Sequence, residues 1–132
     1  MELANNIKKT ILIYDDNPGV CEFIKAYGED LNLDIKIANT EEELKEEYGS
    51  QIPDIIFYDL LIPGSTYKEG LKFLSQKNCS CPVAIFTGMD NAVANAAFKT
   101  GQDLGLNMLK PIKKPINYDE LMNAFNLVIN NQ

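Results

Sequence analysis

Apolar and β-branched residues gather along the chain in five short runs, each followed by a stretch whose apolar positions recur at helical spacing. The first run, Thr10-Ile11-Leu12-Ile13-Tyr14, is unbroken, as in strands covered on both faces of a sheet. It stops at Asp15-Asp16, after which Asn17 offers an N-cap and Pro18 a first-turn proline. Val20, Phe23, Ile24, Tyr27 and Leu31 then predict a helix that lays this stripe on a sheet. Leu33 to Ile37 alternates, with Leu33, Ile35 and Ile37 inward and Asp34 and Lys36 outward, as a half-exposed edge strand does. Thr40 with Glu43 makes a capping box, and the acids of that first turn suit the helix dipole.

The third run, Ile55-Ile56-Phe57-Tyr58, also ends on an acid, Asp59. Leu60 to Glu69 reads as a loop carrying Pro63 and Gly64, and a short helix follows Gly70 with Leu71 and Leu74 inward. Val83 to Phe86 forms the fourth strand, closed by Thr87-Gly88, and an alanine-rich helix spans about 91–100. The fifth strand, Asn107 to Leu109, closes at Lys110-Pro111. Asn117 and Glu120 open a last helix with Leu121, Ala124, Phe125 and Val128 on one face.

Strands alternating with helices imply an α/β fold, a parallel sheet with helices on both faces. Five such units are too few to close an eight-stranded barrel, so the sheet is expected to be open and doubly wound. The expected organisation is one domain over residues 1–132, with an ordered core of about 9–130. Open sheets of this kind place ligands beyond the carboxyl ends of their strands, where the strand order reverses.

Composition then narrows the chemistry. Among 132 residues, 12 are basic and 19 acidic, giving a net charge of -7, and every cation is a lysine. An acidic chain without arginine is a poor partner for nucleic acid. The absence of histidine removes imidazole acid–base chemistry, histidine-ligated metals and donation from a phosphohistidine of its own. Cys79-Ser80-Cys81 resembles half a zinc site with nothing to complete it, and with Cys21 gives an odd cysteine count suited to a reducing compartment. No secretory segment and no apolar run of about 20 residues is present, so the expectation is a cytoplasmic protein without membrane insertion.

The strand ends collect Asp15 and Asp16, Asp59, Thr87 and Lys110. If the first and third strands are neighbours, three carboxylates converge, and they either raise one another's pKa values or recruit a cation. All-oxygen surroundings select a hard ion, magnesium above all. With a lysine and a hydroxyl across the cleft, such a set can hold and transfer a phosphoryl group.

Ile13-Tyr14-Asp15-Asp16-Asn17, Ile56 to Pro63 around Asp59, Phe86-Thr87-Gly88 and Leu109-Lys110-Pro111 together resemble the receiver domain of two-component response regulators, from about Lys9 to Val128. The resemblance implies a flavodoxin-like (βα)5 sheet of strand order 2-1-3-4-5, similar to the chemotaxis receivers. It implies that Asp59 accepts a phosphoryl group from a partner's phosphohistidine and slowly hydrolyses it, in a signalling module rather than an enzyme. Asp16, Asp59 and the backbone carbonyl of Leu61 would ligate magnesium, with Asp15 acting mainly through a bound water. Thr87 and Lys110 would contact the phosphoryl oxygens, and the Lys110-Pro111 bond would be cis. The implied partners are a sensor histidine kinase or histidine phosphotransfer protein and a downstream protein target or output domain.

Three departures from the family's pattern stand out. Asn107 falls where an aromatic usually precedes the lysine by three residues. The loop over 60–69 is about three residues longer than usual. No basic recognition helix follows Asn130. Aspartyl phosphatases need Asp-x-Asp after the first strand, and flavin carriers need an uncharged phosphate loop there; this chain has neither. The remaining alternative is a degenerate receiver that binds a partner without phosphorylation.

Overall fold

In the computed structural model, residues 8–130 are described. Ten elements alternate without exception: β1 (Thr10–Tyr14), α1 (Pro18–Asp30), β2 (Asp34–Ala38), α2 (Glu41–Ser50), β3 (Ile55–Tyr58), α3 (Tyr67–Gln76), β4 (Val83–Thr87), α4 (Asn91–Asp103), β5 (Met108–Lys113) and α5 (Tyr118–Ile129). All strand pairs are parallel, in the order β2-β1-β3-β4-β5, as the flavodoxin-like reading implied.

The period-two pleat divides each central strand between two cores. Leu12, Tyr14, Ile56, Tyr58, Val83 and Ile85 meet α2, α3 and α4 on one face. Ile11, Ile13, Ile55, Phe57, Ala84 and Phe86 meet α1 and α5 on the other. β1, β3 and β4 are buried along their whole length, which is why they read as unbroken apolar runs. Each fully buried aliphatic or aromatic side chain here contributes about 1.5–3 kcal/mol through removal from water. On α5, Leu121, Ala124, Phe125 and Val128 are all buried.

Helix starts follow the expected chemistry. Asn17, Thr40, Asp90 and Asn117 each accept a backbone N–H from the residue three further on. The Glu43 carboxylate reaches back to the N–H of Asn39, one residue earlier than a strict capping box requires.

Three features differ from the sequence reading. On α1, Cys21, Ile24 and Gly28 are the buried positions, while Phe23, Tyr27 and Leu31 remain more than a third exposed. Gly28 decides the rotation, because a side chain there would collide with Ile35. The segment 67–69, expected in the loop, is instead the first turn of α3. Gly70 lies inside that helix, where any Cβ would overlap the Tyr58 hydroxyl, so this glycine serves packing rather than a turn.

The third difference concerns β5. This strand does not close at Lys110-Pro111 but runs through both residues to Lys113. β5 is an edge strand, and its register against β4 shifts between the pairs Ala84–Leu109 and Phe86–Ile112. Lys110 and Pro111 together face Ile85 alone, a β-bulge. Edges and bulges are where a strand tolerates a proline, since no ladder hydrogen bond is lost. The cis bond is Lys114-Pro115, not Lys110-Pro111.

Candidate functional site

The residues that leave the carboxyl ends of β1, β3 and β5 are held by continuation of the ladder. The Asp15 N–H donates to Ala38 O at 3.0 Å, Asp59 N–H to Tyr14 O at 2.9 Å, and Lys114 N–H to Thr87 O at 2.9 Å. Backbone pairing thus extends one residue past each apolar run and fixes the first charged residue beyond it. Asp15, Asp59 and Thr87 are buried, whereas Asp16 points to solvent. Oxygens of Asp15, Asp16 and Asp59 lie within 4.8 Å of one another.

Lys114 supplies the cation. Its Nζ is 2.7 Å from Asp15 Oδ2 and 3.4 Å from Asp59 Oδ2, and it lies 5.1 Å from the centre of the Phe86 ring. Lys110, the lysine expected here, is instead exposed in the middle of β5 and is corrected to Lys114. The physical reason is the length of β5: paired with β4 from Val83–Met108 onward, Lys110 stands opposite Ile85 in mid-strand, and the one-residue bulge then makes Lys114 rather than Lys113 the residue level with Asp15 and Asp59. The expected departure at Asn107 moves with it. Asn107 sits at the opposite end of the sheet, where its carbonyl accepts from Val83 N–H. Counted back from Lys114, the same spacing falls on Pro111, which is also not aromatic. A second Lys-Pro dipeptide in the sequence was the signal that could have located the site lysine.

Hydrogen bonds shape the remaining groups. Asp15 Oδ1 accepts Asn17 N–H at 2.9 Å, and its carbonyl accepts from the Asn39 amide at 2.8 Å. Asp15 Oδ2 is fully buried and has no aligned hydrogen-bond donor, so its contact with Lys114 is electrostatic. Asp59 Oδ1 has only a long contact, 3.4 Å, from Leu61 N–H. Burial and the neighbouring Asp15 charge push the Asp59 carboxyl above its ordinary pKa, against the opposing pull of Lys114. Thr87 Oγ1 accepts Met89 N–H at 3.1 Å, which orients the hydroxyl and leaves its proton free to donate. Lys113 Nζ donates to Met89 O at 2.7 Å and ties the segment after β4 to the end of β5.

Asp16, Asp59, Thr87 and Lys114 line one open cleft of about 390 Å³, with Leu61 and Met89 at its sides. A buried carboxylate oxygen with an ammonium 2.7 Å away but no aligned hydrogen bond, beside two further carboxylates, is a donor set suited to a hard divalent cation. The cleft lies at the carboxyl edge, where the chain leaving β1 and the chain leaving β3 turn to helices on opposite faces of the sheet.

An open parallel sheet with three acids, a hydroxyl and a lysine at its switch point defines a phosphoryl-handling signalling domain of flavodoxin-like architecture. The profile described as "Response regulator receiver domain" matches residues 11–126, and the chain belongs to that family, whose members carry phosphorylation-dependent signals in two-component systems. It is 29% identical over 82 residues to the regulatory protein LuxO of Vibrio cholerae, covering 60% of this chain and 18% of that protein. Against the nitrogen assimilation regulatory protein NtrX of Azorhizobium caulinodans it is 29% identical over 115 residues, covering 85% and 24%. The chain thus spans less than a quarter of the length of either relative. Among solved structures, the Francisella response regulator 1452 receiver domain superposes with a TM-score of 0.75 at 26% identity, covering 93% of this chain and 98% of that one. A response regulator from Colwellia psychrerythraea gives 0.79 at 22% identity, covering 96% and 100%. The chemotaxis protein CheY4 of Vibrio cholerae gives 0.78 at 18%, covering 92% and 99%. Among the described residues, no helix is long and apolar enough to cross a membrane.

Proposed function

We propose that Asp59 is the phosphoryl acceptor of this receiver and that Lys114, not Lys110, is the cation that holds the product. The observation that carries the reading is the shared cleft, in which the Asp59 carboxylate meets the Thr87 hydroxyl and the Lys114 ammonium. The acceptor oxygen of Asp59 attacks phosphorus, the new P–O bond forms as the P–N bond of a partner's phosphohistidine breaks, and the imidazole leaves with the electron pair. Lys114 and the Thr87 hydroxyl then bind the phosphoryl oxygens. To do so Lys114 leaves part of its contact with Asp59, whose charge the acyl phosphate has changed. Slow attack by water on the acyl phosphate returns the carboxylate.

Asp16, Asp59 and the Leu61 carbonyl would hold magnesium, with Asp15 acting through a bound water. The ion would neutralise charge on the transferring phosphoryl group. The partners fitting this chemistry are a sensor histidine kinase or histidine phosphotransfer protein on the input side, and a protein target or output domain on the other. An acidic chain without arginine fits cytoplasmic protein partners better than nucleic acid.

Incubation with acetyl phosphate and magnesium, followed by intact-mass spectrometry, tests the assignment. Wild type and Lys110→Ala are expected to gain one phosphoryl group, and Asp59→Asn none. Labelling that persists in Asp59→Asn, or maps to another residue, would overturn it.

A further inference from the structure

At the opposite end of the sheet from Asp59, two of the three cysteines face each other. Cys79 Sγ and Cys81 Sγ are 3.3 Å apart, and both residues are buried. The backbone holds them there from both sides. Asn78, with a left-handed φ of 56°, turns the chain sharply after α3.

 Cys79 N–H donates to Leu74 O at 3.0 Å, which caps α3, and the carbonyl of Pro82, next to Cys81, accepts Ile56 N–H at 3.0 Å.

The two sulfurs are both nearly closed to solvent, Cys79 at 5% and Cys81 at 9% exposure, but differ in their surroundings. Cys79 lines an open cavity of about 510 Å³ together with Asn78, Ser80, Leu104 and Asn107, whereas Cys81 is not part of that lining. They also differ in chemistry. The contact between the sulfurs lowers the pKa of the Cys79 thiol, against the opposing effect of burial, and the same contact together with burial raises that of Cys81. Cys21 provides the contrast: its sulfur is buried against the Asp15 carbonyl, and burial and the Asp15 charge push its thiol up to about 11.

We infer that Cys79 and Cys81 form a thiol–disulfide exchange site, with Cys79 as the attacking sulfur and Cys81 as the resolving one. The co-reactant is a small disulfide of the glutathione class. The Cys79 thiolate attacks one sulfur of that disulfide, forming a mixed disulfide and releasing one thiolate. Cys81 then attacks Cys79 Sγ and gives its proton to the second leaving thiolate. The protein loses two electrons and two protons, and the small disulfide is reduced to two thiols. Closing the bond needs the sulfurs to move from 3.3 Å to about 2.05 Å. A ring this short is strained, which makes the product readily reducible and the step reversible.

The test incubates the full chain with glutathione disulfide, alkylates the remaining thiols after denaturation and maps all three cysteines by mass spectrometry. Wild type is expected to show a Cys79–Cys81 disulfide, two hydrogens lighter, with Cys21 alkylated. Cys81→Ser is expected to stop at a glutathione adduct on Cys79, and Cys79→Ser to react about ten-fold more slowly. An unmodified wild type, a bridge that includes Cys21 or a second chain, or a Cys79→Ser variant that reacts as fast as wild type would each overturn the inference.

Discussion

The end of the fifth strand carries the dipeptide Lys-Pro twice, and the two copies have different surroundings. Lys110-Pro111 lies within edge strand β5 at a bulge, with the lysine in solvent. Lys114-Pro115 lies one residue past the strand, and its lysine bridges two buried carboxylates. Both copies read Lys-Pro-Ile. What separates them is height along the sheet: Lys114 N–H pairs with Thr87 O, which sets it level with the ends of β1 and β3. A lysine reaches the two carboxylates here because of its place along the strand, and the bulge sets which of the neighbours Lys113 and Lys114 that is.

The largest expected effect follows from this contrast. Lys114→Ala leaves Asp15 buried without a cation and should cost roughly 3 kcal/mol, whereas Lys110→Ala should stay within about 0.5 kcal/mol. Urea denaturation of the metal-free chain measures both, and equal losses would break the comparison.

A smaller effect concerns how Lys114 divides its charge. It is closer to Asp15 than to Asp59, and the Asp59 pKa remains raised. A raised carboxyl binds its proton more tightly in the native state, so its penalty grows as pH rises from the unfolded value of about 3.9 through the folded one. Asp59→Asn should accordingly stabilise the metal-free chain at neutral pH by about 1 kcal/mol, with the gain fading as the pH falls through the raised folded value and gone by about pH 3.9. Thermal melts across that range check it; a gain that persists at the acid end would point to packing instead of charge. Asp15→Asn should go the other way, because it breaks the closer ion pair and the acceptor of Asn17 N–H.

The smallest expected effect is at Pro111. Since an edge bulge demands no N–H from this position, Pro111→Ala should change stability by no more than about 0.5 kcal/mol, again by urea denaturation. A large loss would show that the proline itself sets the bulge and, through it, the position of Lys114.

Much of the site was legible before the structure. Asp15, Asp16, Asp59 and Thr87 stand directly after runs buried on both faces, and such runs end where the sheet does. The helix starts at Asn17, Thr40 and Asn117 were legible because a cap is a local hydrogen bond between residues three apart. The beginning of α3 was not, because Gly70 carries the same signal whether it opens a loop or makes room for Tyr58. The exposed side of α1 was hidden for a similar reason, since Gly28 sets the helix rotation through a contact with Ile35 on another element.

The sequence by itself determined the alternation of strands and helices, the parallel sheet and the acids at its carboxyl edge, all of which follow from period, burial and capping within a few residues. Only the tertiary structure decided which lysine reaches Asp15 and Asp59 and which cysteines meet. Both depend on where one strand or loop stands relative to another: the length of β5 and its pairing with Thr87 place Lys114, and the turn at Asn78 brings Cys79 to Cys81.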